Sequence, residues 1–122
     1  MRLYDPVEKE KQRKKEMAKL RKLFRALPKE RQKAIEGLVQ EAAWMRVTLE
    51  ETRYIIDQEG PLEWFEQGSQ KFKREHPATK TYSAMINRYT SVCKQLFDMV
   101  PATDDAKKAE DDLIAFVKQA KP

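Results

Sequence analysis

The chain has 122 residues, of which 25 are Lys or Arg, 20 are Asp or Glu and 40% are apolar, so it is the size of one domain with many solvated faces. No run of about 18 apolar residues exists, which predicts no transmembrane helix, and Met1-Arg2-Leu3 leads into no apolar secretory stretch. One cysteine excludes a disulfide within the chain and fits a reducing cytoplasm.

The net charge of +5 is unevenly spread: residues 1–33 hold 13 Lys/Arg against 5 Asp/Glu, and the remaining 89 hold 12 against 15. A basic block at one end favours nucleic acid or an anionic surface as partner. Residues 1–27 read as a basic arm, with a polar lead from Met1 to Pro6 and then a helix from Val7 to Leu27. Glu8 and Glu10 fall in its first turn and Lys/Arg dominate later, which suits the helix dipole. Met17, Leu20, Phe24 and Leu27 make a short apolar stripe that can dock. Residues 8–16 (EKEKQRKKE) contain no apolar side chain and read as solvated or disordered.

Leu27-Pro28 ends the arm and starts a long helix that runs to Gly60, with Pro28 in its first turn. Ile35, Leu38, Ala42, Met45, Leu49, Thr52 and Ile56 recur at spacings of three and four, the seam of a helix that packs lengthwise on other helices. Some 33 residues would span roughly 50 Å, whereas a compact domain of this size has a radius of gyration of about 14 Å. The rod is therefore expected to protrude or to be packed by neighbouring copies. Ile35, Leu38, Ala42, Met45, Leu49 and Ile56, with Trp64 and Phe65 beyond the rod, are the candidate oligomerisation residues. Gly37 is a weak point in the helix, or a place for another helix to approach closely.

After Gly60-Pro61, the apolar residues around Gln67-Gly68-Ser69 predict a short β-hairpin at about 62–74. Two strands are barely stable alone, so Trp64, Phe65 and Phe72 are expected to rest on a helix or on another subunit. His76-Pro77 opens a third helix that Pro101 closes. Its stripe of Ala78, Tyr82, Met85, Tyr89, Val92, Leu96 and Met99 is widened by Ile86, Cys93, Phe97 and Val100. An antiparallel pair with the rod is the simplest packing, making 28–101 a helical core. Thr103 is the expected N-cap of a last helix, with Ala106, Ala109, Leu113, Val117 and Ala120 on one face and Ile114 and Phe116 beside it. The fold class is thus mainly α. Segment 102–122 is a candidate docking element, although packing on a neighbouring subunit is the simpler role for it.

Motifs for chemistry are missing from the sequence. Three glycines cannot build a phosphate-cradling loop, and one histidine with one cysteine cannot supply a zinc site. Cys93 sits on an apolar stripe as a small core residue, and His76 stands at a helix entrance. No catalytic residue, metal or cofactor is expected, and the chain reads as no enzyme. What remains is binding. The candidate DNA-contacting residues are Lys11, Arg13, Lys14, Lys15, Lys19, Arg21, Lys22 and Arg25 on the arm, with Lys29, Arg31 and Lys33 at the start of the rod. A solvated charged face is the plainer reading of the same residues. A membrane-surface helix at 7–27 would need a broader apolar face than Met17, Leu20, Phe24 and Leu27 provide.

From residue 45 onward the order of motifs is distinctive. Met45-Arg46-Val47-Thr48-Leu49-Glu50-Glu51-Thr52 is followed by Ile56-Asp57-Gln58-Glu59-Gly60-Pro61. An aromatic-rich insert then leads to Glu75-His76-Pro77-Ala78, Tyr82-Ser83-Ala84-Met85-Ile86-Asn87-Arg88-Tyr89 and Lys94-Gln95-Leu96-Phe97-Asp98-Met99-Val100-Pro101. Over about half the chain this resembles the small subunit of tailed-bacteriophage terminases, the DNA-packaging family. The resemblance implies a mostly helical, non-enzymatic protein that assembles into a ring of about eight to eleven copies. It also implies binding to double-stranded viral DNA, delivery of that DNA to the large subunit that carries the ATPase and nuclease, and work in the cytoplasm of an infected bacterial host. Many small terminases carry a clear N-terminal helix-turn-helix, and none is evident here. A helical scaffold without a DNA-binding role is the alternative.

Overall fold

In the computed structural model, residues 3–100 and 104–120 are described. Four helices, α1 (Pro6–Leu23), α2 (Lys29–Glu59), α3 (Pro77–Phe97) and α4 (Asp104–Ala120), are joined in chain order, with strands β1 (Leu62–Gln67) and β2 (Gln70–Glu75) inserted between α2 and α3. The protein is mainly helical with one small antiparallel sheet.

Helix α1 starts one residue earlier than the spacing of its charges predicts, because Asp5 caps it: the Glu8 amide donates to Asp5 Oδ1 at 2.8 Å, and Pro6 fills the first turn. It ends at Leu23 and not at Leu27. Phe24 leaves the helix and buries its ring at 2% exposure, and turns at Phe24 and Leu27 then carry the chain round. The charged stretch 8–16, expected to be solvated or disordered, is helical throughout.

Pro28 caps α2 rather than opening it. At 1.5 Å per residue its 31 residues span roughly 46 Å. The expectation that this length needs neighbouring copies is not required by the fold, since α1 and α3 both lie along α2. Lys9 reaches Glu51 at 3.2 Å, and Arg21 Nε reaches Glu36 at 3.1 Å, so α1 runs antiparallel to α2. Arg46 reaches Tyr89 Oη at 3.3 Å and His76 Nε2 lies 3.5 Å from Glu59, so α3 is antiparallel as well. Helix α4 returns along α3, its Phe116 ring edge-on to Tyr89 at 5.8 Å.

The seam read as an inter-subunit surface is therefore occupied within the chain. Ile35, Ala42, Met45, Leu49 and Thr52 are buried, Leu38 and Ile56 pack against the same core, and the partners are Tyr82, Ile86, Tyr89, Cys93 and Leu96 of α3. A heptad-like seam demands a helix partner without saying whose, and here the chain supplies it. Each fully buried leucine contributes about 1.5–3 kcal/mol. On α4, the expected face of Ala106, Ala109, Leu113 and Val117 packs against the core, and of the two residues beside it Phe116 enters the core while Ile114 is 44% exposed. The proposed caps Pro101 and Thr103 and the side chain of Ala120 lie outside the described residues.

Gly60, with φ +85°, ends α2, and Gly68, with φ +62°, opens the two-residue loop of the hairpin, both in backbone that favours glycine. The strands pair from Leu62 with Glu75 to Gln67 with Gln70, one residue longer than predicted. The hairpin does not lie down on a helix. Phe65 and Phe72 meet edge-on at 5.4 Å, Arg74 lies over Phe65 at 3.9 Å, and Trp64 is 68% exposed with Lys73 over it. Hydrogen bonds to the Pro61 carbonyl from the His76 amide (2.9 Å) and Thr79 Oγ1 (3.2 Å) fix its base.

This division predicts two unequal truncations. Leu49→Ala should lower the unfolding free energy in urea by about 2–5 kcal/mol. Trp64→Ala should change it by less than about 0.5 kcal/mol. A comparable loss for both would mean that the hairpin packs onto the body.

Candidate nucleic-acid interface

The period of α1 sorts its cations into two sets. Lys9, Arg13, Glu16 and Leu20, spaced four, three and four apart, are half-buried, whereas Lys11, Lys15 and Lys22 share the opposite face with Lys14 beside them, all exposed. The inward set is spent on the fold. Lys9 binds Glu51, Arg13 pairs with Glu10, and Lys19, at the border, reaches Glu16 at 3.3 Å. The outward set makes no ion pair among the described residues.

A second group forms where α1 turns into α2. Gln32 Nε2 donates to the carbonyls of Leu27 at 2.8 Å and Arg25 at 3.3 Å, tying the bend to the first turn of the long helix. Arg21 from α1, Arg25 from the turn after it, and Lys29 and Lys33 from α2 thereby line one groove of about 630 Å³ with Phe24, Ile35 and Val39 beneath them. Arg21 is held by Glu36. The hydrogen bond with Arg21 keeps the Glu36 carboxyl below its ordinary range, outweighing burial, and the same bond raises the pKa of the guanidinium. Arg25, Lys29 and Lys33 have no ion pair among the described residues. They are free to bind an external anion.

Of the residues expected to touch DNA, the structure thus brings Arg21, Arg25, Lys29 and Lys33 together and aligns Lys11, Lys14, Lys15 and Lys22. Arg31 is exposed outside the groove, and Arg13, Lys19 and Arg21 are engaged with carboxylates. The sequence could not show this, because Arg21 and Glu36 lie 15 positions apart and Lys9 and Glu51 lie 42 apart. Two arginines not singled out from the sequence, the half-buried Arg46 and Arg53, flank the Phe116 ring, with Arg46 at 3.8 Å and Arg53 at 5.6 Å.

Among the described residues no group of His, Cys, Asp and Glu could hold a metal ion, and no helix is long and apolar enough to cross a membrane. His76 serves as the N-cap of α3: its Nδ1 accepts from the Ala78 amide at 3.0 Å. Cys93 is buried, and burial pushes its thiol up to about 11, so it stays protonated at neutral pH.

That shift has a definite sign. An unfolded thiol ionises near pH 8.5, roughly, while the folded one does not until about 11. The contribution is therefore complete below the lower value and lost as pH rises through the upper one, at about 1.4 kcal/mol per pH unit. Urea midpoints should fall between these limits, and Cys93→Ala should make the fall shallower. An unchanged slope would show that the thiol ionises in the folded state.

Compared with protein-family models, curated proteins and solved structures, the chain has no match in any of the three.

Proposed function

We propose that this protein is a non-catalytic DNA-packaging adaptor of the terminase small-subunit type, which binds double-stranded viral DNA and presents it to a separate large subunit with ATPase and nuclease activities. The observation that carries the DNA part is the sorting of the cations. The half-buried Lys9 and Arg13 are paired with carboxylates, as are the exposed Lys19 and Arg21, whereas Lys11, Lys14, Lys15 and Lys22 on α1 and Arg25, Lys29 and Lys33 at the corner are exposed and unpaired among the described residues.

From Lys11 to Lys22 the outward face of α1 covers roughly 16 Å, and the corner extends it. Duplex DNA presents about one phosphate charge per 1.7 Å of axis, so such a face meets several phosphates at once. Lysines are point charges on flexible stems, without the forked geometry that reads base edges. Binding of this kind gives affinity and salt dependence with little sequence selection. The order of motifs from Met45 to Pro101 supports the packaging role, the ring of about eight to eleven copies and the cytoplasm of an infected bacterium as its setting.

The test is a salt titration of duplex binding by fluorescence anisotropy. Lys15→Glu combined with Lys22→Glu should weaken binding to every duplex and reduce the slope of log affinity against log salt by about 2. Binding that ignores both reversals would overturn the DNA role and leave a helical scaffold. Light scattering of the wild-type chain measures the assembly separately: several chains per particle support a ring, and a single chain removes it.

A further inference from the structure

The solvent side of α3 differs in kind from that of α1. Tyr82, Ile86, Tyr89, Cys93 and Leu96 turn one side of the helix into the core. The opposite side is a strip of Ala84, Asn87, Arg88, Ser91 and Gln95 between Lys80 and Lys94, all of them exposed. The helix carries no acidic residue, and the first carboxylate beyond Lys94 is that of Asp98, the C-cap. Lys80, Arg88 and Lys94 make no ion pair among the described residues. The strip therefore attracts an anion, as the outward face of α1 does.

Its uncharged residues set it apart. Asn and Ser are less favourable than Ala inside a helix, and on an exposed face no packing offsets that cost. Thr81 and Thr90 of the same helix return their hydroxyls to the Pro77 and Ile86 carbonyls at 3.1 and 2.9 Å. The side chains of Asn87, Ser91 and Gln95 make no hydrogen bond among the described residues. They are donors and acceptors directed at solvent, interleaved with three free cations.

Duplex DNA matches both properties. A helix with its side chains is about 10–12 Å across and the major groove about 12 Å wide. Ala84 and Ser91 keep the strip low, which lets the backbone approach the bases. The Arg88 fork suits the O6 and N7 acceptors of guanine, and the amides of Asn87 and Gln95 suit the N6 and N7 of adenine. Lys80 and Lys94, roughly 21 Å apart along the axis, reach for phosphates on the groove walls. An acidic protein surface fits less well, since the strip has no apolar side chain larger than alanine to serve as an anchor.

We propose that α3 enters the major groove and reads base edges with Asn87, Arg88 and Gln95, supplying the sequence selection that the lysines of α1 lack. The strip needs no ordering on binding, because its opposite side is packed into the core and the His76 cap fixes its start, with Nδ1 accepting from the Ala78 amide at 3.0 Å. The inference rests on the DNA-binding reading above but places base reading on a different helix.

The test is selection of preferred duplexes by the full chain from a pool with a randomised centre, followed by anisotropy on one selected and one scrambled duplex. Wild type should enrich a common sequence and prefer the selected duplex. Arg88→Lys combined with Asn87→Ala and Gln95→Ala removes the forked groups and keeps the charge, and circular dichroism checks that the variant is helical. It should lower the ratio of the two affinities by about tenfold or more. Lys15→Glu with Lys22→Glu should instead weaken both duplexes and keep the ratio. Binding by wild type without any enriched sequence would overturn base reading and leave the phosphate contacts of α1 standing. A preference that survives in the triple variant would overturn the role of α3 and leave its face to an acidic protein partner. No duplex binding at all would remove both readings.

Discussion

The fold depends on the burial of α2 from two sides. Ala42, Met45 and Leu49 face α3, while Ala43 and Val47, both at 1% exposure or less, lie on the side toward Glu36 and Glu51, where α1 runs. A helix with apolar residues on two sides needs two partners, and the shorter α1 has few apolar side chains to offer in its first half. It covers α2 with the stems of Lys9 and Arg13, whose charged ends turn to carboxylates. That is why a stretch as polar as EKEKQRKKE is helical here. Its intrinsic character favours solvent, and the demand of Ala43 and Val47 for cover decides otherwise.

Arg46 ties the remaining helices to this pair. Its guanidinium donates to Glu50 at 3.0 Å and to Tyr89 Oη at 3.3 Å, and stacks on Phe116 of α4. Burial lowers the guanidinium pKa, but Tyr89 and Glu50 outweigh it and leave it raised, so the charge persists in this half-buried position. A buried cation without partners would cost several kcal/mol, and this one has two acceptors and a ring face. Tyr89 is likewise held protonated, its hydroxyl pKa raised by burial although Arg46 pulls it down. Three helices thus meet on one side chain. Replacing Phe116 would expose the arginine as well as empty part of the core, so the position of α4 is coupled to the state of α2 and α3.

Much of this was legible from residue spacing. Proline and glycine mark the ends of α2, the seam identifies the core face of α2, and Gly68 with its flanking aromatics gives the hairpin. Other features were not legible, for physical reasons. Asp5-Pro6 with Glu8 has the spacing of an N-terminal cap, a signal present in the sequence and read as a polar lead. Phe24 is spaced as a helical stripe residue, and only the tertiary fold shows it turning out of the helix to fill the corner. The pairs within α1, Arg13 with Glu10 and Lys19 with Glu16, have a helical spacing that the sequence shows, whereas nothing in a run of lysines and arginines marks Lys9 and Arg21 as paired, because their partners come from α2. The seam specified packing correctly but not its partner, and length alone was a poor guide since two helices of the same chain lie along the rod.

The division of charge also separates the surfaces by the kind of partner each can accept. The hairpin has as many cations as acids, with Lys71 on Glu66 at 3.0 Å, Arg74 on Glu63 at 2.7 Å and Lys73 over Trp64, so it offers apolar area and little net field. The outward face of α1 has the reverse character, with free ammonium groups and only Val7 as a large apolar side chain among the described residues. A polyanion has reason to choose the latter and a protein surface the former. By the same measure the outward face of α3, with Lys80, Arg88 and Lys94 exposed and no acidic residue on the helix, belongs with α1 and the corner among the surfaces that favour an anion.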